Sequence, residues 1–180
     1  MSGTMHSRFS MILLGAVLMA MLFAVGCSDH AIVDQPDNTS QPRLLQRSAK
    51  AVSSPMAASE LYADSVISDA TGGTLQLFDV TLEVPPGAVG NDTLFSISIP
   101  DPMVFFNEFG THGLVFKRPV KVTMSYRDAD LTGVDESTIR IVWLDERDGL
   151  FKDIDCAIDP ATKTVTGYLN HFSAYGLVSD

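Results

Sequence analysis

The sequence predicts an all-β fold, an antiparallel β-sandwich, over residues 65–180. Short runs of alternating apolar and polar residues recur through this region, and Gly, Pro and Asp separate them at short intervals. Such spacing is typical of sandwiches built from many short strands. No stretch of the region shows a convincing helical repeat of apolar residues. The residues before it have a different character and are interpreted as a signal peptide followed by a flexible tether.

Residues 1–26 predict the signal peptide. Arg8 is the only Lys, Arg, Asp or Glu in them, and an uncharged apolar run, FSMILLGAVLMAMLFAVG, follows from Phe9 and ends directly before Cys27. A positively charged segment followed by an apolar one is the pattern of an export signal. The run is also long enough to cross a bilayer, so an uncleaved membrane anchor is the alternative.

The residues around Cys27 resemble the lipobox of bacterial lipoproteins. Ala24, Val25 and Gly26 precede the cysteine and a polar segment follows it, although Ala24 stands where leucine is commoner. The resemblance implies that the thiol of Cys27 is acylated, that the chain is cut before it, and that the new amino terminus is also acylated. Two or more acyl chains hold a protein stably on a membrane. Ser28 is not the aspartate that favours inner-membrane retention, so an outer-membrane location is expected in a cell with two membranes.

Charge and cysteine content narrow the class of protein. Without Arg8, 11 of the 12 basic residues remain against 22 acidic ones, a formal net charge of −11 after the signal peptide. Such a balance argues against nucleic acid and anionic lipid surfaces as partners. Cys156 is the only cysteine after Cys27, so a lipidated Cys27 leaves no intramolecular disulfide. The length suits about one domain, and its core is expected to hold by burial alone.

Residues 27–64 predict the tether. They lack a strand period and are rich in Ser, Pro, Ala, Gln and Asp, with at most a short helical piece within RLLQRSAKAV. A tether of this length would let the domain stand clear of the lipid surface.

Seven or eight strands are predicted beyond the tether. The segment ATGG at 70–73 is a turn, and alternating residues at 75–77 and 80–84 flank a phase slip at Phe78-Asp79, which predicts a hairpin turn or a bulge. PPG at 85–87 ends the run, because proline cannot donate to a strand ladder. Further strands are predicted at 93–99, 114–116, 120–126, 139–143, 151–154 and 164–169, with a hairpin loop at 145–149 whose glycine takes a positive φ.

Five segments in this order resemble a ZU5 domain, the β-sandwich module of ankyrins, netrin receptors, tight-junction scaffolds and many bacterial exported proteins. They are GG-x-L at 72–75, LEVPPGAV at 82–89, LVFKRPVKVTMSY at 114–126, IVWLDERDGLFKDID at 141–155 and HFS at 171–173. The resemblance covers roughly residues 65–180. It implies an interaction or scaffolding module. Because the sequence also has a lipobox and a tether but no triad, metal set or phosphate loop, we expect the module to contact an envelope protein or a glycan without enzymatic turnover and without a cofactor.

The segment HFS leaves two interpretations open. Strand alternation places His171 with the apolar residues of 165–169 and would leave Phe172 on the polar face. Burying a phenylalanine stabilises by about 1.5 to 3 kcal/mol, so a bulge or turn is predicted close to the Phe172-Ser173 bond. The first interpretation is a packed, structural end of the strand.

The second interpretation is self-cleavage, which the ZU5 resemblance implies as an alternative function. The hydroxyl of Ser173 would attack the carbonyl of Phe172, an N-to-O acyl shift would give an ester, and water would hydrolyse it. His171 would act as the general base.

Other candidate sites are weaker. Asp128, Asp130 and Thr132 copy the opening of a calcium loop, but its twelfth position is not glutamate, so Glu136 would have to serve from another geometry; a plain polar loop is the alternative. Cys156 has no second cysteine near it in sequence and is expected to be a small, partly buried side chain rather than a metal ligand. None of the histidines stands in a recognisable nucleophile motif.

Overall fold

The computed structural model describes residues 42–53 and 61–180, which form two antiparallel sheets packed as a sandwich, as the sequence predicts. The predicted signal peptide, Cys27 and much of the predicted tether lie outside the described residues. Within these two ranges, no helix has the length and apolar content that a membrane span requires.

Twelve strands and two short helices make up the described residues. The strands are β1 (Arg43–Leu44), β2 (Tyr62–Ile67), β3 (Gly73–Leu77), β4 (Val80–Val84), β5 (Thr93–Ser98), β6 (Phe106–Gly110), β7 (Val115–Ser125), β8 (Arg140–Asp145), β9 (Leu150–Asp153), β10 (Cys156–Asp159), β11 (Thr164–His171) and β12 (Ala174–Ser179). The helices are α1 (Ala49–Val52) and a single 3₁₀ turn (Glu136–Thr138).

One sheet has seven strands and the other has five. The larger runs β2-β5-β6-β12-β8-β9, with β1 pairing to the end of β12, and the smaller runs β10-β11-β7-β4-β3. The period-2 alternation of strands such as β4 sends every second side chain into the space between the sheets. That space holds one apolar cluster, with Phe95, Leu82 and Val122 among its fully buried members.

The predicted tether extends too far, because the sandwich begins before residue 65. Strand β1 pairs with β12, Leu45 is only 2% exposed, and β2 already begins at Tyr62. The guanidinium of Arg47 forms an ion pair of 3.0 Å with the carboxylate of Asp79, and both side chains are about nine-tenths buried. The compact unit accordingly runs from Ser40 to Asp180. The polar composition of residues 27–64 does not indicate this packing, because the packing depends mainly on one leucine, Leu45, and one arginine, Arg47.

The two predicted hairpin turns are confirmed. Phe78-Asp79 forms the two-residue loop between β3 and β4, with Phe78 at φ 50°, and Gly149 in the β8–β9 loop has φ 70°. The two segments predicted at 114–116 and 120–126 form one strand, β7. Strand β6 was missed because its inward face includes Asn107, which is fully buried and whose side-chain amide has no hydrogen-bond partner among the described residues.

Candidate functional site

The segment HFS forms a crossover between the two sheets. Strand β11 of the five-stranded sheet ends at His171, and β12 of the seven-stranded sheet begins at Ala174. Phe172 and Ser173 are therefore the whole link. A second crossover lies at the end of β9, where Ile154 and Asp155 lead from the edge of the larger sheet to the edge of the smaller one.

Phe172 anchors its crossover in the core. It is 2% exposed, its backbone N–H donates to the carbonyl of Leu114 at 2.9 Å, and its ring meets those of Phe95 and Phe116 edge-on, with centroids 4.8 Å apart in each pair. The end of β11 and the burial of Phe172 show the change of strand phase that the sequence predicts. Edge-to-face aromatic pairs add about 0.5–1.5 kcal/mol each to the burial itself.

The hydroxyl of Ser173 is bonded to Leu144 and not to His171. Ser173 is 6% exposed, its Oγ donates to the carbonyl oxygen of Leu144 at 3.2 Å, and its own carbonyl accepts the N–H of Phe109 at 3.1 Å. In the described part of the chain no hydrogen bond joins the Ser173 hydroxyl to the His171 ring. These two hydrogen bonds stabilise the crossover.

Tyr175 holds the His171 ring. Its hydroxyl donates to the His171 carbonyl at 2.9 Å and lies 3.2 Å from Nδ1 of the same residue. The single proton of the Tyr175 hydroxyl is used in the bond to the carbonyl, so its oxygen can only accept a hydrogen bond from Nδ1. In the neutral form of the His171 ring, the proton then lies on Nδ1 and Nε2 is the acceptor. Burial raises the pKa of Tyr175, so its hydroxyl stays protonated at neutral pH.

A cleft of about 460 Å³ opens between the two crossovers. We call it the Trp143 cleft; its lining includes Trp143, Asp153, Asp155, Tyr168, Asn170 and His171. The indole of Trp143 meets the His171 ring edge-on, with centroids 4.8 Å apart, and the ring of Tyr168 is 60% exposed. The cleft combines aromatic surfaces with carboxylate and amide groups, a mixture found in many ligand sites.

An irregular ladder between β11 and β7 opens the cleft. Leu169 pairs with Val120 but His171 pairs with Val115, so Asn170 stands opposite residues 116–119. Such bulges bend a strand and redirect its side chains. On the other side, a Cβ on Gly167 would lie 2.8 Å from the side chain of Ile154, so glycine lets the β9–β10 crossover pass close to β11.

The two carboxylates of the cleft have different surroundings. The carboxylate of Asp153 accepts a hydrogen bond from the guanidinium of Arg140 at 2.7 Å. This ion pair, at the rim of the cleft, partly neutralises the charge of Asp153. Asp155 is exposed and has no ion pair among the described residues. Asp155 is therefore the carboxylate available to a ligand.

Two of the four predicted calcium ligands, Asp130 and Glu136, have other partners. An oxygen of Asp130 accepts the backbone N–H of Thr132 at 3.0 Å, and Glu136 accepts from Lys163 at 2.7 Å and from the Tyr126 hydroxyl at 3.2 Å. The hydrogen bond from Lys163 lowers the pKa of Glu136. Over residues 42–53 and 61–180, no three His, Cys, Asp or Glu side chains are placed to hold a metal ion. Asp128 and Glu136 therefore do not complete such a set.

Cys156 is half-buried, as predicted, and its sulfur lies 3.5 Å from the backbone N–H of Ile141. Trp143, Tyr168 and Asp155 were missed as site residues. Trp143 and Tyr168 stand in ordinary strand patterns, and the clearest sequence signal for a site nearby was the phase change at His171.

Comparison of the sequence with models of known protein families and with curated proteins gives no match, so the ZU5 resemblance rests on the sequence motifs alone.

Proposed function

We propose that this chain is a lipid-anchored cell-envelope protein whose ZU5-like sandwich binds a protein or glycan partner without enzymatic turnover. The lipobox-like sequence at Cys27 supports the anchor. The Trp143 cleft offers a surface for the binding role. The use of HFS as a structural crossover, with the Ser173 hydroxyl bonded to the Leu144 carbonyl, supports the absence of turnover.

Self-cleavage would need a different arrangement of the same residues. A general base has to lie within hydrogen-bond reach of the hydroxyl from which it takes a proton. Here the hydroxyl donates to Leu144, and Nδ1 of His171 is held by Tyr175. Backbone strain at the bond would lower the barrier to self-cleavage. In the described ranges the non-glycine residues with positive φ are Phe78 and Lys163, and neither flanks the Phe172-Ser173 bond.

A measurement of the intact mass of the chain tests whether it cleaves itself. Strand β12 lies between β6 and β8, so a fragment cut before Ser173 would stay paired in the sheet and native size would not reveal the cut. We expect denaturing mass spectrometry of the purified full chain, kept for days at neutral pH, to show no product ending at Phe172. The matched control is Ser173→Ala. A product that ends at Phe172 in the wild type and is missing from the control would establish self-cleavage instead.

Replacement of Cys27 tests the anchor. Cys27→Ala removes the thiol that would be acylated, so we expect the variant to leave the membrane fraction or to accumulate as the unprocessed precursor. Fractionation with detection of the signal sequence distinguishes these results from a plain anchor. Unchanged membrane association of wild type and variant, both with the signal still attached, would favour the uncleaved span.

A further inference from the structure

We propose that the Trp143 cleft binds a cationic side chain, lysine or arginine, presented by a basic segment of a partner protein. The inference deepens the proposed binding function, on which it rests, by naming the surface and the chemistry of the partner. It rests on the charge of the cleft, its aromatic rings and the hydrogen-bonding groups of its wall.

The charge of the cleft selects for a cation. Two aspartates line it and no lysine or arginine does. Arg140 pairs with Asp153 at the rim, but Asp155 has no ion pair among the described residues, so one carboxylate is left uncompensated. The whole chain carries a formal net charge of −10, which raises the local concentration of basic partners and repels acidic ones.

The aromatic rings offer a second contact to the same group. A lysine or arginine over the face of a tryptophan or tyrosine is attracted by the ring quadrupole, and tryptophan is the strongest partner. Trp143 lines the wall, and the exposed ring of Tyr168 lines the side that borders β7. The alkyl part of a lysine or arginine would pack on these rings while its head meets Asp155.

The hydrogen-bond acceptors in the wall of the cleft suit a ligand that donates hydrogen bonds. Lysine and arginine heads only donate hydrogen bonds. The carbonyl of the Asn170 side chain is an acceptor in the lining, and Nε2 of His171 has no protein partner in the described part of the chain. A neutral sugar has no charge to pair with Asp155, whereas a basic peptide does, so the cleft favours a basic peptide over a glycan.

Trp143 is the only tryptophan of the chain, so its fluorescence reports directly on the cleft. The full chain in an uncharged detergent would be titrated with a peptide of alternating lysine and glycine. We expect a saturable change in emission that is weakened in about 1 M salt, where charges are screened beyond roughly 3 Å. Asp155→Asn and Tyr168→Ala should each weaken binding about 2- to 5-fold, the loss of one exposed ion pair or one exposed cation–π contact.

Glu108→Gln is the matched control, because it removes one exposed carboxylate from β6, outside the cleft, and should leave affinity unchanged. An equal loss in Glu108→Gln and Asp155→Asn would mean diffuse attraction and would overturn the proposal. So would a saturable response to a β-1,4-linked N-acetylglucosamine oligomer with none to the lysine peptide. If neither probe gives a response, the proposal for the Trp143 cleft is also overturned, and the proposed binding role would have to belong to another surface. The proposed function without turnover fails separately, if the intact-mass experiment shows cleavage.

Discussion

At the residue scale, Phe172 explains why HFS lies at a sheet crossover. A two-residue link gives the chain little room, so one of its side chains has to fill the space between the sheets. The Phe172 ring does so, with Phe109 as a third aromatic neighbour at a centroid distance of 6.0 Å. The motif therefore has a structural use that is independent of any chemistry at Ser173.

We expect Phe172→Ala to lower the free energy of unfolding by about 3–5 kcal/mol, because it removes a buried ring and leaves a cavity. Urea unfolding at neutral pH measures the change. Tyr168→Ala is the control: it also removes a ring, but an exposed one, and should cost roughly 0.5 kcal/mol or less. Equal costs for the two variants would contradict the structural role of Phe172.

At the element scale, the β8–β9 hairpin depends on Asp145 at the end of β8. Its side chain is 7% exposed and accepts from Nε of Arg147 at 2.9 Å and from the backbone N–H of the same residue at 3.2 Å. The hydrogen bond from the Arg147 side chain is the main reason why the pKa of Asp145 is lowered from 3.8 to about 2. Ionised Asp145 thus stabilises the turn.

The sign of the pH effect follows from this shift. Because the folded pKa lies below the ordinary value, the stabilisation is complete above about pH 4 and is lost as the pH falls toward 2. Asp145→Asn lacks this titration. We expect the wild type to be more stable than the variant near pH 6, and the difference to shrink between pH 4 and pH 2 in denaturant unfolding curves. A difference that stays constant over this range would rule out the ion pair as the source.

At the scale of the whole molecule, residues 42–53 and 61–64 are part of the fold. Arg47 joins the β3–β4 turn of one sheet, through Asp79, to the β5–β6 connection of the other, through the carbonyl of Pro102 at 3.3 Å. Its guanidinium also lies 4.3 Å from the centre of the Phe105 ring. Loss of Arg47 would leave the carboxylate of Asp79 buried and unpaired, and burial already raises its pKa against the opposing effect of Arg47.

We expect a chain starting at residue 65 to be far less stable than one starting at residue 40, because it lacks β1, half of β2, Leu45 and Arg47. Circular dichroism during thermal unfolding compares the two. Arg47→Met in the longer chain removes the ion pair together with the other contacts of the guanidinium and should cost about 3–5 kcal/mol, the usual loss when one partner of a buried pair is removed. Equal stability of the two chains would show that residues 42–64 do not support the sandwich.

The sequence by itself determined the elements whose signals are local. The alternation in β3, β4 and the second half of β7, and the turns at Phe78-Asp79 and Gly149, follow from strand period and turn chemistry within a few residues. The phase change at His171 is a local signal of the same kind: it predicts a bulge or turn close to Phe172-Ser173, where β11 ends, but not that the chain changes sheet there. The fold class followed from the number and spacing of these elements.

Only the tertiary structure decided the features that join distant residues. The ion pair between Arg47 and Asp79 spans 32 positions, and the Trp143 cleft brings Trp143 and His171 together from strands of different sheets. Neither contact leaves a periodic trace, because each depends on which strands pair and where the chain crosses between sheets. A hydrophobic pattern fixes which face of a strand is buried, but the side chain that it meets there is set by long-range pairing.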